Sequence, residues 1–265
     1  MTSAVGTGKH QLSDLGLRKL RSLILSGELA PGQHLSETAA GELLGMSRTP
    51  AREVLAQLIE EGLLLRSGTG RCLVSRFTRE DVIDGIELRG VMEGTVLRVA
   101  AERGADPQVL DALAGIADAI DGMLPGDGSG VDFDGYTALN QQFHDTLARL
   151  SGSPTLEREL LRIYRLPLAS PNAFLQSQND VPAIRNSLFR AQAQHRAMIE
   201  AVRHREGSRA EALAREHARL ARENLDYVVF NNRPLANRIP GLSLVSRTQS
   251  RAAPDNRTAT RGRKE

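Results

Sequence analysis

The tripeptide Gly45-Met46-Ser47 constrains this chain more than any other feature, because it is long enough only to turn one helix directly into the next. Before it, Ser36-Glu37 opens a pattern that carries Ala39, Ala40, Leu43 and Leu44 and stops at Gly45, the residue type favoured just past a helix end. After it, Ser47 or Thr49 can cap a helix whose first turn tolerates Pro50 and whose inward stripe, Val54, Leu55, Leu58 and Ile59, ends at Gly62. Two short helices joined in this way form a helix-turn-helix. Leu17, Leu20 and Ile24 predict a helix ahead of it, closed by the Pro31-Gly32 turn. Beyond Gly62, residues 63–66 and 72–75 predict two short strands flanking a glycine-rich hairpin, which would be a wing.

The polar residues of this unit say what it is for. Ser47, Arg48, Thr49 and Arg52 gather at the start of the second helix of the pair, the end that enters the major groove, where an arginine can donate two hydrogen bonds to guanine O6 and N7. Gly70 would let the wing backbone approach DNA closely, and Arg71 beside it could reach a phosphate or the minor groove. The formal net charge of only +2 seems to speak against nucleic acid, but it hides a segregation. Residues 12–77 hold eight basic and seven acidic side chains, residues 78–232 seventeen and twenty-three, and residues 233–265 eight and two. Positive charge is needed only on the groove-facing surface, and an acidic remainder helps keep the other half off DNA.

The rest of the chain reads as helices over 79–104, 107–123, 133–151, 154–168, 183–206 and 208–230. Six Phe, three Tyr and no Trp agree with a mostly α protein, since strands draw on aromatic residues. Four parts are predicted: a flexible arm over 1–11, a winged helix-turn-helix over 12–77, an all-α bundle over 78–232 and a basic, disordered tail over 233–265. A single cysteine, Cys72, excludes an intrachain disulfide framework and a thiolate metal cluster, and reads as a small core residue. No apolar run approaches the roughly 18 residues of a membrane span and no signal sequence opens the chain, which predicts a cytoplasmic address and no membrane partner.

Three histidines stand out within the bundle. Asn140 and His144, four apart, project from one helix face, while His195 and His217 lie on two successive helices at a spacing that suits an antiparallel pair. Imidazoles with an amide oxygen make a site for zinc, nickel or a similar divalent ion. The neutral Asn140, where Asp would add a charge, should weaken metal binding and leave more positive potential for an anion. His10, His34 and His204 lack companions at ligand spacing and read as surface residues.

The runs Gly27-Glu28-Leu29, Pro31-Gly32, Leu35-Ser36-Glu37, Leu44 through Leu55 and Glu61-Gly62-Leu63 resemble the DNA-binding domain of GntR-type bacterial transcription regulators. Thr38 stands where some members carry a DNA-contacting arginine, and Ala51 replaces the commoner valine. Glu87-Leu88-Arg89 with Glu93, then Asn140, Phe143-His144, His195 with Ile199, and His217 resemble the FCD effector domain of the FadR-type subfamily. That resemblance implies operator contacts from Arg48, Thr49 and Arg52, with Gly70 at the wing tip. It also implies a buried metal held by Asn140, His144, His195 and His217, beside a pocket where Arg89 receives a small carboxylate. The function implied is a ligand-responsive, homodimeric transcription regulator on a pseudo-palindromic double-stranded operator. Two other readings stay open at this point: a DNA-binding regulator whose bundle only dimerises, and a metalloenzyme, against which no Glu or Asp offers itself as a general base.

Overall fold

The computed structural model of the chain describes residues 4–67, 71–124, 131–175, 182–231 and 239–246. Its N-terminal unit runs α1 (Ala4–Leu25), β1 (His34–Leu35), α2 (Glu37–Leu44), α3 (Arg48–Glu60), β2 (Leu64–Arg66) and β3 (Cys72–Val74). Ser36 caps α2 by accepting from the Ala39 amide, and Gly45 ends it in the left-handed region (φ 67°, ψ 35°). Gly41 is needed for the turn itself: Met46 N donates to Gly41 O at 2.9 Å, and the Met46 carbonyl oxygen sits 2.8 Å from where a Cβ on Gly41 would lie. The inward faces of α1 and α3, with Leu20, Ile24, Val54, Leu55 and Leu58, close a core that includes Cys72. Because α2 is short it buries only Ala40 and Gly41, and leaves Ala39 and Leu43 to solvent.

Two expectations change here. The backbone of residues 4–11, read as a flexible arm, is helical and continuous with α1; once a helix is nucleated, each added residue gains a hydrogen bond for the cost of ordering one residue, and nothing before Leu12 is a proline. The sheet has three antiparallel strands in the order β1-β3-β2, not two, because His34 and Leu35 pair with Leu73 and Cys72. A two-residue strand is too short to show an alternating pattern.

The second unit is a helical bundle: α4 (Arg79–Arg103), α5 (Pro107–Met123), α6 (Phe133–Arg149), α7 (Pro154–Tyr164), α8 (Pro182–Arg203) and α9 (Gly207–Asp226), which passes into a π turn at Tyr227–Asn231. Thr78 and Asp81 begin α4 with a reciprocal capping box, at 3.0 and 2.8 Å. The long helices α4 and α9 pack along each other at Gly90 and Gly94, where a Cβ would lie 2.9 Å from Ala218 Cβ and 3.0 Å from Glu211 O. This close approach brings the Arg89 and Glu93 face of α4 toward His217. The pair is also clamped where α4 begins and α9 ends by Arg79 and Asp226. α7 stops at Tyr164, short of the expected 168, because Pro167 removes a helical donor and disfavours helical backbone at Leu166. Among the described residues no helix is long and apolar enough to cross a membrane.

Residues 239–246 correct the reading of 233–265 as a tail. Ile239 and Leu242 are buried in the bundle core, whereas Leu244, fully buried, completes the core of the winged unit. Gly241 N donates to Leu25 O (2.8 Å), Phe77 N to Leu244 O (2.9 Å) and Ser246 N to Phe77 O (2.7 Å). The segment is a strap across the junction. The count of basic residues concealed its four apolar side chains, Ile239, Leu242, Leu244 and Val245.

Candidate DNA interface and candidate metal centre

The first turn of α3 stands clear of the fold. Ser47 takes the extended N-cap conformation (φ −69°, ψ 166°) but makes no capping hydrogen bond with its side chain, so its hydroxyl and the amides of Arg48 and Thr49 face outward at a helix N-terminus, a natural phosphate seat. Arg48, Thr49 and Arg52 are exposed, as is Thr38 on α2. Arg48 approaches Glu37 at 3.7 Å with 74% of its side chain accessible, a contact too solvated to hold it from a phosphate or base. The hairpin base closes through Ser67 N to Arg71 O at 2.7 Å, which sets the exposed Arg71 beside the wing. Gly70 lies outside the described residues. At the far end of α3, Glu61 is tied to α1 by two bonds from Arg21, at 2.6 and 2.9 Å, fixing the angle at which α3 is presented.

Inside the bundle, α6, α8 and α9 bring His144, His195 and His217 together, all buried, with ligand atoms within 4.8 Å of one another. The hydrogen bonds fit one assignment of the ring protons. Gln192 donates its amide to Ala117 O and Asp121 Oδ1, both at 2.7 Å, so its oxygen faces His195 Nδ1 at 3.2 Å as an acceptor. Gln194 Oε1 takes the same role for His217 Nδ1 at 3.2 Å, and the Glu93 carboxylate for His144 Nδ1 at 2.9 Å. With all three Nδ1 atoms donating, each ring in its neutral, ligand form carries a lone pair on Nε2. His195 Nε2 and His217 Nε2 face each other at 3.2 Å, while His144 Nε2 is buried without a partner. Opposed lone pairs repel, and an orphaned acceptor costs free energy; a cation among them removes both penalties. Nitrogens about 2.0–2.1 Å from a tetrahedral zinc stand roughly 3.3 Å apart, close to the 3.2 Å between His195 Nε2 and His217 Nε2.

Electrostatics favour the ligand form. Burial holds His195 and His217 well below the usual imidazole range, with the neighbouring rings adding to it, so both are neutral near pH 7. Burial by itself would raise the Glu93 carboxyl, yet the His144 ring, its hydrogen bond and the Arg89 guanidinium outweigh it and hold the group down at about 2. Glu93 also accepts from Tyr164 OH at 2.9 Å, and burial together with that carboxylate pushes the Tyr164 phenol well up. The unit Glu93–His144 has the form of a carboxylate that orients and strengthens a metal-binding imidazole.

Arg89 is not a surface residue; it is 2% exposed. It donates to Ala169 O at 3.3 Å, and its Nε, 4.0 Å from Glu93 Oε1, makes no hydrogen bond. With Tyr136, Asn140, His217 and Asn224 it lines a cavity of about 30 Å³ beside the histidines. Asn140 is buried in the same wall, but its amide donates to Asn172 Oδ1 at 2.8 Å. The three histidines come together as their spacing suggested, with Asn140 and with Arg89, which only the resemblance had pointed to, in the wall beside them. His34 and His204 are exposed; the side chain of His10 lies outside the described residues. Gln192, Gln194, Tyr164 and Asn172 were missed, and only the three-residue step from Gln192 to His195 left a trace in the sequence.

Comparison with known proteins accords with this geometry. Residues 17–74 match the family of bacterial regulatory proteins of the gntR type, and residues 84–220, more than half of the chain, match the FCD domain. The chain belongs to the GntR family, in its FCD branch. It is 31% identical over 229 residues to an HTH-type transcriptional regulator from an unstable DNA locus of Streptomyces ambofaciens, covering 83% of this chain and 87% of that one. It is 26% identical over 202 residues to the HTH-type transcriptional repressor GlaR of Escherichia coli, covering 76% and 90%. The fold is shared with E. coli McbR/YncC (TM-score 0.55, 17% identity, 82% and 96% covered). This GntR protein is thus a DNA-binding transcriptional regulator with an FCD effector-binding domain, and its relatives are regulators, not enzymes.

Proposed function

We propose that this GntR regulator binds a pseudo-palindromic operator as a homodimer and senses a small carboxylate through a divalent metal, zinc or nickel, in its bundle. One observation carries the sensing half: three buried imidazoles converge, each with a side-chain oxygen at its Nδ1, next to a buried arginine whose Nε makes no hydrogen bond. His144, His195 and His217 would hold the ion, with Asn140 as a further oxygen ligand. A divalent cation there supplies positive charge and open coordination positions to an anion. Arg89 would orient that anion through charge-assisted hydrogen bonds, which would also satisfy its buried Nε.

On DNA, Arg48 and Arg52 would read base edges, Ser47 and Thr49 would hold phosphate at the α3 terminus, and Arg71 and Gly70 would contact the backbone from the wing. Two copies would place their α3 helices in successive major grooves, and a carboxylate would act by favouring one arrangement of the heads. The site would work in the cytoplasm, where the operator is. Metal analysis of the untagged purified protein tests the sensing half: about one equivalent of zinc or nickel is expected, lost in His144→Ala. Protein that carries no metal and shows no thermal shift with any carboxylate leaves the bundle as a dimerisation module. Gel shifts with DNA upstream of its own gene test the rest: Arg48→Ala and Arg52→Ala should abolish the complex while dimer and metal content stay intact.

A further inference from the structure

A cavity of about 30 Å³ beside Arg89 has the volume of one water molecule, whereas sites for small organic ligands run from roughly 300 Å³ upward. A carboxylate can enter only if a wall moves. Most of that wall is helical and tightly held: α4 and α9 are in contact at Gly90 and Gly94, α6 is pinned by the His144–Glu93 bond, and α8, which lends Ser187, Leu188 and Ala191, is tied to α9 where Asn224 donates to Ser187 Oγ at 3.1 Å. The remainder, Pro171, Ala173 and Leu175, belongs to the irregular segment that follows α7.

That segment is strained and conditionally tied. Leu168 (φ 61°) and Phe174 (φ 68°) both take the left-handed region without being glycine, a strained conformation that persists only while the surroundings enforce it. What enforces it is Arg89, which donates to Ala169 O, and Asn172, which accepts from Asn140 and donates to Thr137 O (3.0 Å) and Gln141 Oε1 (3.3 Å). Arg89 is the group a carboxylate would engage and Asn140 a ligand of the ion beside it, so the occupied site and the wall compete for both.

The other side of the wall faces the DNA-reading head. Ala173 also lines a second cavity, of about 530 Å³, together with Asn172 and Phe174 of the segment and with Gln57 and Glu61 at the C-terminal end of the recognition helix. Pro167 and Leu166 reach within 3.7 and 3.9 Å of the Cβ position of Gly62, the turn that leaves that helix. We infer that residues 165–175 form a movable wall: a carboxylate makes its room by displacing Asn172 and Ala173 into the interdomain cavity, and the displaced wall acts on the recognition helix through Gln57, Glu61 and Gly62. The inference rests on the cavity beside Arg89 being the effector site, and it names how that site reports to DNA.

Hydrogen–deuterium exchange on the full-length, zinc-incubated chain tests it without the natural ligand. Asn172→Ala should raise exchange roughly tenfold at the amides of 166–175 and also of 57–63. Asn172→Asp, which keeps the shape but sets a carboxylate oxygen against Thr137 O and Gln141 Oε1, should give at least as large a response with the same pattern. Leu113→Ala, in the core of α5 away from the wall, should leave 57–63 unchanged. Loosening of 166–175 alone in the Asn172 variants, or an equal response at 57–63 to Leu113→Ala, overturns the coupling. Absence of bound metal or of carboxylate-induced shifts would instead refute the sensing role, and would leave the Asn172 result standing, since those variants move the wall with no ligand present.

Discussion

Replacing Glu93 by Gln removes one buried charge and almost no volume. Both hydrogen bonds received by Glu93, from His144 Nδ1 and Tyr164 OH, fall on Oε1, and a Gln oxygen can accept both. What is lost is the anion that His144 and Arg89 stabilise, holding the carboxyl at about 2 against its ordinary 4.5. Because the folded value is the lower one, Glu93 stabilises the fold above pH 4.5, and that contribution drains away as pH falls toward 2. The difference of about 2.5 units corresponds to about 3 kcal/mol at neutral pH, of which about 2 kcal/mol is gone at pH 3. Urea unfolding of chelator-treated protein from pH 7 to pH 2.5 measures it. Glu93→Gln should be about 3 kcal/mol less stable at pH 7, with the two curves converging at the acid end, where Glu93 is protonated and resembles Gln. Curves that run parallel across this range would show that Glu93 is not a buried anion in the folded chain.

Three further outcomes follow from packing. Leu244→Ala, in the strap, should cost about 2–5 kcal/mol and destabilise the winged unit, seen as faster amide exchange in α1 and α3; an effect confined to the strap would mean that Leu244 does not belong to that core. Gly94→Ala should lose about 1–3 kcal/mol to overpacking against Glu211, more than the gain of about 1 kcal/mol in helix propensity, and so lower the melting temperature; an increase would show that α4 and α9 can separate freely. Thr78→Ala should cost about 1 kcal/mol in thermal or urea unfolding by removing the capping box that starts α4.

Much of this regulator could be read from local pattern. The turn at Gly45 to Ser47, the arginines at the head of α3 and the order of the bundle helices depend on neighbours three or four residues apart, where periodicity and turn chemistry act. The convergence of His144, His195 and His217 was half legible, since spacing placed them on suitable helices without bringing their nitrogens together. Arg89 shows where reading stops: position suggested a pocket, but burial, the ion pair with Glu93 and the orphaned Nε depend on α9 lying against Gly90 and Gly94.

The strap and the wall were not legible at all. Leu244 lies more than 180 residues from Leu58, whose core it joins, and its burial is decided by the joint shape of two domains. Asn172 is a polar residue in a proline-broken loop, a role that thousands of loops share. Its significance comes from facing Asn140 on one side and a cavity shared with Gln57 and Glu61 on the other. Local sequence thus specified which arginines crowd the head of α3 and which histidines lie on neighbouring bundle helices, because helix period and turn propensity are short-range. How the two sites stand toward each other was left to long-range packing, because burial, opposed lone pairs and shared cavity walls exist only once distant segments are brought into contact.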